Sequence, residues 1–167
     1  MIQLEPLSER HLADVQKHAS HASVGRLSMV PSPYPADGAA QWFSAVSPRI
    51  SSGDACIFAV TEAGAFRGLV SINKINMAAR SAELDYWIAH DWQSRGFGTR
   101  AVALAMTHGV DRLNLCIFNS TCLTKNTGSI KVLEKNGFTR VGSAVMTSGK
   151  FRGVAFDHYR RSLHVPD

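Results

Sequence analysis

Gln93-Ser94-Arg95-Gly96-Phe97-Gly98-Thr99 stands between a strand-like stretch and a helix-like one, and this junction decides the fold. Glycines two residues apart let a backbone turn tightly and approach a ligand with its amides turned inward. Past Gly98 the apolar period becomes helical: Val102, Ala105, Met106, Gly109, Val110 and Leu113 recur at three- and four-residue spacing. A helix that begins there offers unpaired N–H groups and the positive end of its dipole, which suits a pyrophosphate. Arg95 and Arg100 add charge at the rim. The plain alternative is a glycine-containing turn that binds nothing.

The same residues satisfy G-x-G-x-x-A over Gly96 to Ala101, the dinucleotide fingerprint. That motif needs a strand running straight into its first glycine and an acidic residue about 20 positions on. Here the strand fades at Ala89 and no carboxylate lies near Phe118. The nicotinamide reading therefore fails on context.

Working outward, Ala55 to Thr61, Phe66 to Ile75 and Ala82 to Ala89 read as three strands joined by short turns, hence antiparallel neighbours. Upstream, Leu7 to Val24 is polar with spaced apolar positions, and Ser8-Glu9 offers a helix start. Pro31-Ser32-Pro33-Tyr34-Pro35 is extended or turning. A short helix over Ala39 to Val46 follows, with Asp37 as its cap. Downstream, Leu115 to Phe118 is a short strand, and Thr127 to Lys135 a helix stopped at Asn136-Gly137. Phe138 to Met146 and Val154 to Ser162 close the chain as strands. The order is strand, two helices, three strands, helix, strand, helix, two strands, which predicts an α+β fold with a mixed sheet and helices on both faces.

The 167 residues, 45% hydrophobic and 19% charged, amount to a single domain spanning 1–167. No apolar run approaches the ~20 residues that cross a bilayer, and Met1-Ile2-Gln3-Leu4-Glu5-Pro6 is no signal peptide. Neither a membrane nor a secretory route is expected. Cys56, Cys116 and Cys122 are an odd set without metal-type spacing and read as reduced thiols of a cytoplasmic protein. His18 and His21 share a helical spacing but have no third ligand, so no metal is expected. A net charge of +5 favours an anionic partner. Because the basic residues are scattered, that partner is read as a polyanionic small molecule and not as nucleic acid.

Gln93-x-x-Gly96-x-Gly98 resembles the [RQ]-x-x-G-x-[GA] acetyl-CoA signature of the GNAT superfamily of N-acetyltransferases. Asn126 to Phe138 is similar to the N-x-x-S-x-x-V-L-E-K-x-G-F pattern of its RimJ/RimL-like branch, and Ala82 to Ile88 to that branch's A-E-I-G-Y-W strand. Pro33-Tyr34-Pro35 and Trp42 fit its early region. The resemblance implies a sheet whose fourth and fifth strands splay, with acetyl-CoA in the gap. It implies pantetheine pairing near Trp87, Ile88 and Ala89, and pyrophosphate on the loop Gln93, Ser94, Arg95, Gly96, Phe97, Gly98 and Thr99. Asn126 matches a pantetheine-contacting position, and it also suits a helix cap. Homodimers are common in this fold, and the resemblance alone carries that expectation.

Transfer needs a neutral amine, a stabilised oxyanion and a proton for the departing thiolate. Many relatives carry a glutamate on the fourth strand, and Glu83 stands in the matching place. Alternation puts Glu83, Asp85 and Trp87 on one face, where two like charges raise one carboxyl. Glu83 is the first candidate base, Asp85 the second, with water or a purely electrostatic role as alternatives. The thiolate-protonating tyrosine of many relatives falls at Leu133. Ser129 matches a serine given that role in the branch, and a capping hydroxyl or water are the alternatives. Tyr86 reads as core. The fifth strand has Asn119, Ser120, Thr121 and Cys122 where some relatives use a glutamate, and nothing adjacent to Cys122 lowers its pKa. The reaction expected is direct acetyl transfer to a primary amine, most simply an N-terminal α-amine. A small amine (amino acid, polyamine or aminoglycoside) is the close alternative, and a catalytically inactive acyl-CoA sensor the distant one.

Overall fold

The computed structural model describes residues 1–164, so the last three positions of the expected 1–167 domain lie outside the described residues. The chain runs β1 (Ile2–Pro6), a 3₁₀ turn (Glu9–His11), α1 (Leu12–Ala19), α2 (Ala22–Gly25), α3 (Gly38–Ser51), β2 (Cys56–Glu62), β3 (Ala65–Asn76) and β4 (Ser81–Ile88). A second 3₁₀ turn (His90–Trp92) leads into α4 (Phe97–Leu113), β5 (Ile117–Leu123), α5 (Thr127–Lys135), β6 (Thr139–Val145) and β7 (Ala155–Ser162). The strands make one sheet in the order β1-β2-β3-β4-β5-β7-β6. Among the described residues only β4 and β5 run parallel. This is the mixed α+β architecture expected.

Helices cover both faces because strands alternate which side chains they bury. Val70, Ile72, Ala82, Leu84 and Phe118 pack with Val102 and Ala105 of α4 and Leu133 of α5. On the opposite face Leu69 and Ala59 pack with Val15 and Ala19 of α1 and Ala39 of α3. Ile72, Leu84, Leu115 and Phe118 are fully buried, each side chain contributing roughly 1.5–3 kcal/mol.

Four local expectations are corrected. The segment 7–24 is not one helix but a 3₁₀ turn, α1 and the single turn α2, since Ser20 and His21 break the periodic run. Helix α3 continues to Ser51 through Pro48, which forfeits one amide donor without ending the helix. Asp37 is at the N-cap of α3 but binds the Gln41 side chain at 2.7 Å, not a backbone amide. Strand β5 lies further along than expected: Leu115 belongs to the preceding connection, after Asn114 ends α4 with φ 53°, and the strand runs to Leu123. Its middle residues are polar because one face stands open, so no apolar run marked them.

Strands β4 and β5 pair only at Ser81↔Ile117, Ala82↔Phe118 and Glu83↔Asn119. The Ser120 hydroxyl donates to the Leu84 carbonyl at 2.8 Å and makes the last bridge. From there β4 continues to Ile88 beside β3 while β5 follows β7, which opens a V-shaped gap in the sheet.

Candidate active site

At the mouth of the gap, Ser94 (φ 60°) and Gly96 (φ 82°) are left-handed and turn the chain into α4. The first turn of α4 leaves the amides of Phe97, Gly98 and Thr99 without intrahelical carbonyls, the first such bond being Arg100 N to Gly96 O at 3.1 Å. Asn136 clamps this turn by donating to the Thr99 carbonyl at 3.1 Å and to Val132 at 2.9 Å. Arg100 is folded over the loop, with Nη2 to Arg95 O and Nε to Gly96 O both at 3.3 Å. Arg95 and Arg67 both stack on Trp92, at 5.1 and 3.6 Å from its ring centroid. Free amides under a helix N-terminus with guanidinium groups at the rim form an anion cradle, and the residues present fit a pyrophosphate.

Gln93 makes a scaffolding contact that no local pattern marks. Its Nε2 donates to the Ile88 carbonyl at 3.0 Å and to the Ser23 hydroxyl at 3.2 Å, tying the loop to the end of β4 and to α2. Of Trp87, Ile88 and Ala89, only Ile88 turns its backbone to the gap. Ala89 N bonds Arg67 O of β3 at 2.8 Å, so by alternation Trp87 faces β3 while Tyr86 and Ile88 present their N–H groups to the opening.

Tyr86 is more than core packing. Its ring underlies Gly98, and its hydroxyl meets the Ser129 hydroxyl at 3.1 Å, spanning from β4 to α5. Asn126 donates from Nδ2 to the same hydroxyl at 3.2 Å and caps α5 by accepting from Ser129 N at 3.1 Å. Both sequence readings of Asn126 are thus compatible, since the cap is formed and the residue edges the gap. The tip of a half-buried tyrosine needs a polar partner; that rule was the available signal for Tyr86. Burial pushes its phenol above the ordinary range, against the Ser129 bond that lowers it.

Glu83, Asp85 and Trp87 share the sheet face away from α4, as expected from alternation, because Ala82, Leu84 and Ile88 pack with α4 and Trp87 packs with Phe66. A bulge after Asn73 puts Lys74 in a left-handed conformation (φ 48°), and its ammonium then meets Glu83 at 3.1 Å. Asp85 accepts from Asn73 Nδ2 at 3.1 Å. Its side chain reaches solvent, yet the protein atoms packed around it displace water, and this desolvation raises its carboxyl above the usual range. The Asn73 bond opposes the shift and Glu83 adds to it. Across the gap Asn119 and Thr121 lie on the same face, bonded to Arg160 and His158.

The other candidates separate cleanly. His158 is on this open face, whereas Tyr159 is buried on the other. Burial, then Asp157, pushes the Cys122 thiol up to about 11, so it is protonated at neutral pH. His21 caps α2 by accepting from Ser23 N and stacks on His90 at 3.9 Å, while His18 stacks on Phe66. Among the described residues no cluster of His, Cys, Asp or Glu could hold a metal ion, and no helix is long and apolar enough to cross a membrane. Two open recesses of about 290 and 490 Å³ flank α4 and include neither the loop nor the carboxylates.

The GNAT acetyltransferase domain family matches residues 2–139. Spermidine N(1)-acetyltransferase of Escherichia coli is 29% identical over 156 residues, 92% of this chain and 82% of that protein. Two solved structures share the fold. RimL, the ribosomal L7/L12 α-N-protein acetyltransferase in complex with coenzyme A, aligns at TM-score 0.86 and 18% identity over 97% of this chain and 94% of its own. Spermidine N-acetyltransferase of Vibrio cholerae with CoA and spermine aligns at 0.83 and 21%, over 96% and 95%. With four-fifths of its length under that family, a sheet split between β4 and β5 and an amide cradle at the split, this chain belongs to the GNAT acetyltransferases.

Proposed function

We propose that this N-acetyltransferase uses acetyl-CoA and acts on an N-terminal α-amine of a protein or peptide. The observation that carries the acceptor reading is that, among the described residues, Asp85 is the one carboxylate of the open face without a cationic partner at ion-pair distance, Glu83 being matched by Lys74. A polyamine brings further ammonium groups that need carboxylates of their own. One modest base also suits the chemistry: an α-amine of pKa ~7.8 needs about 1 kcal/mol to deprotonate at pH 7, and a lysine-like amine of ~10.4 about 4.6 kcal/mol. The similarity to spermidine acetyltransferases supports the second reading, a small polyamine acceptor.

When bound, acetyl-CoA supplies an acyl thioester with a good leaving group. Asp85 is assigned to receive the amine's proton; Glu83, the base first favoured, is assigned an electrostatic role because Lys74 holds it. The Tyr86 and Ile88 N–H groups facing the gap are assigned as oxyanion donors. Ser129, with Tyr86 behind it, is assigned to return a proton to the leaving thiolate. A CoA thiol near pKa ~8.5, by analogy with cysteine, demands little of that acid. Ser129→Ala is therefore expected to lower kcat only about three- to tenfold, measured by thiol release.

Thermal unfolding with acetyl-CoA, and NAD as control, tests the reading at its root. Ligand at 100-fold over Kd adds ~2.7 kcal/mol, a rise of roughly 5–11 °C for a domain of this size. No shift at millimolar acetyl-CoA overturns the cofactor site. An amine panel then decides the acceptor: turnover of peptides and not of spermidine supports the N-terminal reading, and the reverse replaces it with the polyamine one. Binding without turnover of any amine leaves the acyl-CoA sensor.

A further inference from the structure

Three residues far apart in sequence meet in a chain of side-chain bonds that ends at Asp85. Arg49, near the end of α3, donates from Nε to Asp54 Oδ2 at 3.0 Å and from Nη2 to Asn73 Oδ1 at 3.1 Å. Asn73 on β3 donates from Nδ2 to Asp85 Oδ2 at 3.1 Å. Asn73 pairs in register with Glu83, so it reaches diagonally past its own partner to do this.

The amide sits between neighbours with opposite demands. A guanidinium only donates and an ionised carboxylate only accepts. Turning the amide over would set donor against donor at Arg49 and acceptor against acceptor at Asp85. Arg49, itself held by Asp54, therefore fixes which way Asn73 points. The charged groups acting on Asp85 are Glu83 beside it, Lys74 from the β3 bulge and Arg49 from α3. Its Oδ1 has no hydrogen-bond partner among the described residues.

We propose that Asn73 is a positioning residue: its amide, oriented by Arg49, holds Asp85 by one oxygen as an acceptor-only carboxylate and leaves the other oxygen for the incoming amine. The inference rests on Asp85 as the proton acceptor. A desolvated aspartate drifts toward its neutral, useless form. A donor that cannot turn into an acceptor opposes that drift and fixes the rotamer together.

The test follows the Asp85 carboxyl directly, by carbon-13 NMR titration assigned with Asp85→Asn, alongside kcat against pH on one acceptor at saturation. Asn73→Leu keeps the volume and removes the donor. It is expected to move the Asp85 midpoint and the acid limb of kcat upward together by about one pH unit, the cost of one lost bond to a charged form. Above the shifted limb, its rate returns to within about threefold of wild type. Asn73→Asp, which still accepts from Arg49, shifts the midpoint further by adding a like charge, and it carries the test if the leucine variant does not fold. Arg49→Gln shifts it less, because the amide is still present but free to turn.

An Asp85 midpoint unchanged to within about 0.3 units in a folded Asn73 variant overturns the proposal. So does a rate loss uniform across pH, which is what a merely structural role gives. A wild-type protein that binds acetyl-CoA and acetylates no amine overturns the functional reading, even if the Asp85 midpoint still moves.

Discussion

Asp85→Asn is expected to lower kcat about 10²- to 10³-fold at neutral pH, the usual worth of a positioned base, with acetyl-CoA affinity unchanged within about twofold. Asparagine keeps the shape and a bond to Asn73 but cannot take a proton. Glu83→Gln, by contrast, should cost less than about fivefold, because Glu83 is already matched by Lys74 at 3.1 Å and works as part of a neutral pair. The pH dependence has a definite sign. Desolvation raises the Asp85 carboxyl, so the base form is lost as pH falls through a value above the ordinary carboxylate range. The acid limb of kcat should lie there in wild type and disappear in the asparagine variant.

The same shift separates catalysis from stability. For a carboxyl whose folded pKa is raised, folding favours the neutral form, and its ionisation costs stability at pH values above that pKa. Asp85→Asn removes the cost, so its Tm at neutral pH should not fall. A large activity loss with an undiminished Tm therefore reports chemistry. If Glu83→Gln shows the hundredfold loss and Asp85→Asn does not, the base is Glu83, the residue that the family resemblance picks out.

Why does the family resemblance favour one carboxylate and the proposed mechanism the other? Position along a strand is written locally, so alternation correctly put Glu83, Asp85 and Trp87 on one face. Partners are not local. Lys74 reaches Glu83 only because a bulge gives it a left-handed backbone, and Arg49 reaches Asp85 only through Asn73 on another element. Neither bond leaves a mark at the carboxylates' own positions. The cradle was legible for the opposite reason: a helix N-terminus after two glycines is a property of consecutive residues. The strands β2, β3 and β4 were legible as apolar runs, whereas β5 was misplaced because Asn119 and Thr121 face an open recess. Tyr86 reads as core because its ring is core, whereas its hydroxyl reaches across to Ser129.

Gly98→Val should weaken acetyl-CoA binding by more than about 100-fold, the larger of the two binding effects expected around the loop. A Cβ at Gly98 would lie 2.8 Å from Tyr86 Cε2 and 3.4 Å from Val132 Cγ2. The Tyr86 ring cannot retreat freely, because its hydroxyl is engaged with Ser129 and Asn126 lies beyond. The start of α4 must move outward instead, carrying the amides of Phe97, Gly98 and Thr99 with it. Each N–H bond to a charged partner is worth about 1.5–3 kcal/mol, so misplacing two of them accounts for the loss. Overpacking alone should cost about 1–3 kcal/mol of stability, which the unfolding temperature reports separately. Gly96→Ala is the informative contrast: its φ of 82° makes alanine strained, but nothing within 3.4 Å opposes the added carbon, so the amides stay in place and binding falls much less. The steric cause can be isolated by calorimetric titration in a Tyr86→Ala background, where removal of the ring makes room for valine. There Gly98→Val should lose at most about tenfold in affinity relative to Tyr86→Ala alone, a non-additivity of the size seen for residues in direct contact. Full-strength binding by Gly98→Val in the otherwise native protein would mean that the first turn of α4 does not hold the pyrophosphate. Equal losses in both backgrounds would mean that the glycine is needed for some reason other than the tyrosine beneath it.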